Sequence, residues 1–147
     1  MKGKSSGGAR TRARELALQA LYQMQLSGHD FRELKKQFQE QTAYERVDQE
    51  FFNETLGEIC ESRAELDAII TDLIDRPFEQ LDPVELGVLL IGVFELKNRV
   101  DIPYRVVINE GVNLAKRFGS LDGHKYINAC LDKGAQSLRE IEIKGSG

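Results

Sequence analysis

The chain has 147 residues, a formal net charge of −4, 41% hydrophobic and 30% charged residues, and two cysteines. A domain of about 150 residues buries roughly 68–70% of its unfolded surface, enough for a core without metal or disulfide staples. Cys60 and Cys130 each fall inside an apolar helical pattern, so they read as two buried thiols in a reducing compartment rather than as a disulfide.

The first residues are positive but no apolar stretch follows them, which argues against a secretory signal and makes a cytoplasmic protein the expectation. Residues 1–9 read as a flexible basic tail. Charge is segregated along the chain. Lys2, Lys4, Arg10, Arg12 and Arg14 stand without an acid among residues 1–14, whereas residues 48–86 hold twelve acids against Arg63 and Arg76. Residues 97–147 are basic again, so an acidic pI hides two basic ends that one face of a fold can bring together.

Ala13, Ala17, Ala20, Leu21 and Met24 recur at helical spacing, predicting a first helix from about Arg10 to Leu26, stopped by Ser27-Gly28. Asp30 and Glu33 predict a capping box for a second helix with Phe31, Leu34 and Phe38 on one face. After a loop over about 41–47, Asp48 predicts the cap of a third helix carrying Phe52, Thr55, Leu56 and Ile59. Ser62 with Glu65 predicts a box for a fourth, nearly continuous helix carrying Leu66, Ile69, Ile70 and Leu73, ended before Arg76-Pro77.

The stretch Asp82 to Lys97 organises the rest. Asp82 can cap, Pro83 suits the first helical position, and Glu85 sits at the positive end of the dipole. From Leu86 to Phe94 every residue is apolar or glycine, which predicts a central helix with neighbours on several sides. Nine such residues, bracketed by Glu85 and Glu95, are far short of the roughly 20 that span a bilayer. Pro103 opens a sixth helix with Val107, Ile108, Val112 and Ala115 inward and Gly119 as its cap. Asp122 is the expected cap of a seventh, carrying Ile127, Leu131, Ala135 and Leu138. Residues 140–147 are expected to fray. The fold expected is all-α with about seven helices, a single domain over 10–139.

Little supports catalysis: the phosphate-cradling, dinucleotide, zinc-protease and redox motifs are missing, and His29 and His124 stand in different elements. No cofactor or metal is expected. Nucleic-acid binding has more support, because Lys116 and Arg117 end helix six and His124, Lys125 and Tyr126 begin helix seven after a short turn. Single-stranded RNA is gripped by cations on phosphates and by aromatic or guanidinium planes under unstacked bases. Arg10, Arg12 and Arg14 would add a basic arm. The plain readings are that cations complement a helix dipole, Asp122 only caps and Tyr126 only packs. Glu79, Asp82 and Glu85 are either caps and solubilising charges or a docking face for a basic protein. Tyr22 is a core or interface aromatic. From the residues alone, an RNA-binding protein and a helical adaptor stand side by side.

Three stretches carry a resemblance. They are Arg12-Ala13-Arg14-Glu15 with Gln19-Ala20-Leu21-Tyr22, then Pro103-Tyr104-Arg105-Val106-Val107-Ile108-Asn109-Glu110 through Leu114-Ala115-Lys116 to Phe118-Gly119, and His124-Lys125-Tyr126-Ile127-Asn128 with Leu131-Asp132-Lys133. Over about Arg10 to Arg139 the chain resembles the NusB family of transcription antitermination factors. The resemblance implies seven helices in two packed helical bundles. It implies binding of boxA-type single-stranded RNA in ribosomal RNA leader transcripts together with NusE, a small-subunit ribosomal protein, within the RNA polymerase antitermination complex, and no catalysis.

Carried over residue by residue, the resemblance puts RNA at Arg10, Arg12, Arg14, Lys116, Arg117, Asp122, His124, Lys125 and Tyr126. The partner falls at Glu79 and Glu85, and Tyr22 lies near RNA or partner. Thr11 interrupts the arginines, Tyr126 stands where the family commonly has phenylalanine, and Gly111 and Gly134 where alanine is common, which points to close helix packing. A homodimer covering the basic arm is compatible with the family. The remaining alternatives are a helical protein-interaction adaptor that never touches RNA and a fragment related to the helical domain of some ribosomal RNA methyltransferases; for the latter, the chain has no room for a methyl-donor domain.

Overall fold

Eight α-helices and two 3₁₀ turns make up the regular structure of residues 6–145, the part of the chain that this computed structural model describes. No strand occurs among these residues. The chain divides between Ser62 and Arg63 into two compact units.

The first unit holds α1 (Ser6–Ser27), α2 (Phe31–Gln39), a 3₁₀ turn (Thr42–Arg46) and α3 (Gln49–Glu61). Helix α1 begins four residues before the expected start, so residues 6–9 of the predicted tail are helical; residues 1–5 lie outside the described residues. Its end is as predicted: Gly28 takes φ +74 and returns its N–H to Met24 O at 3.1 Å, a left-handed stop that glycine adopts without steric cost. Asp30 and Glu33 form the predicted reciprocal box, and Asp48 accepts from the Phe51 N–H at 3.0 Å. Helices α1, α2 and α3 pack on one another, and Leu34, Phe38, Phe52, Leu56 and Ile59 are buried. Cys60 is half-buried rather than buried, its thiol against Met24 Sδ at 3.7 Å; both cysteines are free.

The second unit holds α4 (Arg63–Leu73), a 3₁₀ turn (Phe78–Gln80), α5 (Pro83–Asn98), α6 (Tyr104–Phe118), α7 (Gly123–Leu138) and α8 (Glu140–Gly145). The Ser62–Glu65 box gives way to other bonds: Ser62 closes α3 by donating its N–H to Glu58 O, and Glu65 meets Lys97 of α5 at 3.3 Å. Helix α5 is the central helix, touching α4, α6 and α7. Every residue from Leu86 to Leu96 is buried, including Glu95 at 1% exposed, which the sequence reading sets at the polar edge of the run.

Both ends of α5 are closed by side chains. At its start Asp82 accepts the Glu85 N–H (2.7 Å) while Glu85 accepts the Asp82 N–H (3.1 Å), with Pro83 at the first helical position. At its end the buried Arg139 guanidinium donates to the carbonyls of Leu96 (2.7 Å), Glu95 (3.1 Å) and Arg99 (2.8 Å). Glu95 O and Arg99 O also accept the backbone N–H groups of Arg99 (2.9 Å) and Ile102 (3.0 Å), so the guanidinium adds a second donor to each and serves the Leu96 carbonyl at the helix terminus, where a cation also meets the negative end of the dipole. Arg139 is held in turn by Glu142 at 2.5 Å.

Close approach inside this unit depends on glycine. A Cβ on Gly111 of α6 would lie 2.6 Å from Leu131 Cδ1, and one on Gly92 of α5 would lie 2.7 Å from Leu131 Cδ2, so the Leu131 side chain of α7 fills a notch left by both. At Gly134 a Cβ would meet Leu73 at 3.1 Å, in accord with the close packing predicted for Gly111 and Gly134.

Substitution at these glycines tests the notch. Alanine gains about 1 kcal/mol over glycine in helix propensity, but overpacking costs about 1–3 kcal/mol. Gly111→Ala is therefore expected to destabilise by up to about 2 kcal/mol in urea unfolding, and that loss should vanish in a Leu131→Ala background. At Gly57, where the nearest atom to a Cβ is Phe31 Cζ at 3.4 Å, alanine should be neutral or stabilise by up to about 1 kcal/mol.

Acid tests the closure at the other end of the unit. The Tyr104 backbone N–H donates to Glu142 Oε2 at 3.0 Å, and with the Arg139 guanidinium it holds the Glu142 carboxyl below its usual range. A lowered native value means that this stabilisation is complete above the unfolded carboxylate value of about 4.3 and is lost as pH falls through the native one. Melting temperatures recorded down the acid limb should fall less steeply for Glu142→Gln than for the parent.

Candidate nucleic-acid interface

In the first unit the arginine run lies on α1, a helix. Arg10 Nε is 3.4 Å from Asp48 Oδ2, and its guanidinium sits 4.9 Å from the Phe51 ring centroid. Arg12 donates to Arg46 O at 2.9 Å. Arg14 is 3% exposed and lies 4.9 Å from the same Phe51 ring. Phe51 is thus bracketed by two guanidiniums, contacts that stabilise by ring quadrupole as well as by burial. Arg10 and Arg12 keep partly exposed side chains, whereas Arg14 is enclosed. Tyr22, at 40% exposed, stands on the same helix.

In the second unit the turn between α6 and α7 gathers the remaining candidates. Gly119 caps α6 as predicted, its N–H to Ala115 O at 2.8 Å. A Cβ there would lie 2.8 Å from that same oxygen, so the turn requires glycine although its φ is −96. Lys116 and Arg117 are exposed in the last turn of α6, and Arg117 lies 5.4 Å from the Phe118 ring. The side chain of Asp122 does not cap α7; it pairs with Lys125 Nζ at 3.6 Å, both exposed. At ψ 8 its backbone already turns toward the helix, unlike the extended geometry from which a side chain reaches the N–H groups two and three residues ahead. Leu121, at the apex, is 89% exposed. His124 is half-buried with Nδ1 enclosed and unpartnered.

Tyr126 differs most from an open stacking platform. The Arg76 guanidinium lies 3.9 Å from its ring centroid, covering a face, and its hydroxyl is buried near the Asp75 backbone and the Cys130 thiol without a well-formed hydrogen bond to either. Burial, with the Cys130 thiol adding to it, pushes the phenol up to about 12. The same burial raises the Cys130 thiol, so neither group is an ionised nucleophile near neutral pH.

Arg76 carries this arrangement further. Its Nε is 3.3 Å from Asp75 Oδ1 and its Nη1 is 4.0 Å from Glu85 Oε2. Tyr126 and Glu85, assigned separately to RNA and to partner, are therefore joined through one guanidinium. Sequence reasoning reads Arg76 only as part of a helix stop before Pro77; no periodicity ties it to position 126. Glu79 is exposed, and Glu85 is mostly enclosed by its own capping box. Among the described residues no group of three or more His, Cys, Asp or Glu side chains is placed to hold a metal ion, and no helix is long and apolar enough to cross a membrane.

A family model described as the NusB family matches residues 11–136. The chain belongs to the NusB family. It is 48% identical to the transcription antitermination protein NusB of Pseudomonas savastanoi pv. phaseolicola, over 97% of this chain and 86% of that one. It is 42% identical to the NusB of Marinobacter nauticus over 97% of this chain and 90% of that protein. Among solved structures, T. maritima NusB superposes with a TM-score of 0.78 at 26% identity, over 93% of this chain and 94% of that one. The family match runs through both units and includes every candidate position except Arg10.

In this NusB-family chain the Tyr126 hydroxyl is removable. A buried hydroxyl that makes no well-formed hydrogen bond costs about 1–3 kcal/mol in desolvation, and the Asp75 backbone and Cys130 thiol beside it offset little of that, so Tyr126→Phe should raise the urea midpoint or leave it unchanged. Arg76 should stay on the ring, because the contact uses the face and not the oxygen. A fall of more than about 1 kcal/mol would show that the hydroxyl is bonded after all.

Proposed function

We propose that this protein is a non-enzymatic antitermination factor of the cytoplasm that binds boxA-type single-stranded RNA of ribosomal RNA leader transcripts together with NusE, supporting processive ribosomal RNA transcription by the RNA polymerase antitermination complex. The observation that carries the reading is the α6–α7 turn of a NusB-family chain, where Lys116, Arg117 and Lys125 are exposed together beside the Arg76–Tyr126 stack. Cations of this kind supply salt-dependent phosphate affinity, and planar groups supply base preference. Arg10 and Arg12 add phosphate contacts from α1. Arg14 holds Phe51 and reaches RNA only if that packing opens. Asp122 orients Lys125, and the acids at Glu79 and Glu85, with Tyr22, face the protein partner.

A second reading, a helical adaptor that never touches RNA, draws support from the engagement of Arg10, Arg12 and Arg14 within the first unit. Fluorescence anisotropy of a labelled boxA RNA against a scrambled one separates the two. The RNA reading expects preference for boxA, strengthening by NusE and weakening by salt. Lys125→Glu should weaken binding at least tenfold and lower the slope of log affinity against log salt by about 0.7 for each phosphate that the variant no longer neutralises. Equal affinity for both RNAs, or indifference to Lys125→Glu and Arg12→Glu, would leave the adaptor.

A further inference from the structure

We infer that Arg76 couples the RNA-facing turn to the partner-facing acids of the same unit, exchanging between Glu85 and RNA according to whether a basic protein partner occupies the acids. The inference rests on the proposed function and names how its two ligands would sense each other.

The guanidinium has three neighbours of unequal hold. It is stacked on Tyr126 at 3.9 Å, close to Asp75 at 3.3 Å, and at 4.0 Å from Glu85 Oε2. Its side chain is 36% exposed, against 13% for Glu85. Glu85 is fixed by the helix it starts: its Oε1 accepts the Asp82 N–H and its own N–H is bound by Asp82 Oδ1. The carboxylate is thus the stationary member and Arg76 the mobile one, tied to it at the limit of ion-pair distance. Such a contact is weak and readily exchanged.

A cationic group from a protein partner that approaches Glu79 and Glu85 offers the Glu85 carboxylate a second counter-ion. Arg76 is then surplus at the acidic side. Still stacked on Tyr126, it has donors to give to a phosphate, or a plane to give to a base. Linkage requires the converse: RNA that draws Arg76 away leaves Glu85 more open to the partner's cation. Neither ligand needs to touch the other for this part of their cooperation.

The test is boxA RNA anisotropy with and without NusE for the parent, Glu85→Gln, Glu79→Gln, Arg76→Met and the two double variants Arg76→Met/Glu85→Gln and Arg76→Met/Glu79→Gln, with circular dichroism to verify folding. Glutamine still serves a capping box, and both glutamine variants remove one negative charge. Glu85→Gln should therefore tighten RNA binding in the absence of NusE by more than Glu79→Gln does, and that excess should vanish without Arg76. Arg76→Met should cut the strengthening by NusE at least about fivefold. If Arg76→Met fails to fold, Arg76→Gln, which keeps a polar side chain and removes the charge, takes its place with the same expected direction. Equal effects of the two glutamines, an excess that persists without Arg76, or undiminished strengthening in the Arg76 variant would overturn the coupling. A parent protein that shows no boxA preference, or no response to NusE, would bring down the proposed function and this inference with it. A responsive parent with an indifferent Arg76 variant brings down the coupling alone.

Discussion

A helix buried along eleven consecutive residues, as α5 is from Leu86 to Leu96, is tolerable only if the polar groups at both of its ends are satisfied. Orphaned amide and carbonyl groups at a buried terminus cost about as much as the hydrogen bonds they forgo. The chain meets this demand with charged side chains of opposite sign. Carboxylates at Asp82 and Glu85 close the positive end, and the Arg139 guanidinium closes the negative end. Each follows the dipole it faces. The surrounding helices can then approach α5 closely, with Leu131 seated where Gly92 and Gly111 leave room.

The same economy shapes the candidate interface. Several charges that a linear reading counts as available for ligands are already in use: Glu85 in a cap, Arg12 on a carbonyl, Arg10 on Asp48, Arg14 against Phe51. The turn between α6 and α7 exposes Lys116, Arg117 and Lys125, the last paired with exposed Asp122, with Leu121 among them. A surface of this composition binds phosphates by charge and leaves discrimination to the few planar groups beside it. Arg76 and Tyr126, the guanidinium lying over the ring, are such a pair.

How much of this was legible in the chain depends on the distance between the partners. The caps at Asp30, Asp48 and Asp82, the stops at Gly28 and Gly119 and the buried run of α5 are local, set by residues three or four apart, and periodicity finds them. Glycine at 111 and 134 could be read as close packing without knowing what approaches. Arg139 could not be placed, because the carbonyls it holds are 40 to 44 residues away in sequence; neither could Arg76, whose aromatic partner lies beyond the whole of α5 and α6. Asp122 misled for the opposite reason: its residue type and position suit a cap, but its backbone is already turned toward the helix and its carboxylate goes to Lys125. The arginine run of α1 suggested a loose arm because composition alone does not reveal Phe51.

Arg139 also sets an order of events during biosynthesis. The ribosome delivers the last turn of α5 long before the residue that closes it, since Leu96 and Arg139 are 43 positions apart. At about 5–20 residues per second, the carbonyls of α5 wait seconds in water before the guanidinium emerges. The first unit, complete at Ser62, is under no such delay. A nascent chain halted between the two positions would carry a finished N-terminal unit and a central helix open at one end, a species for chaperones and proteases to find.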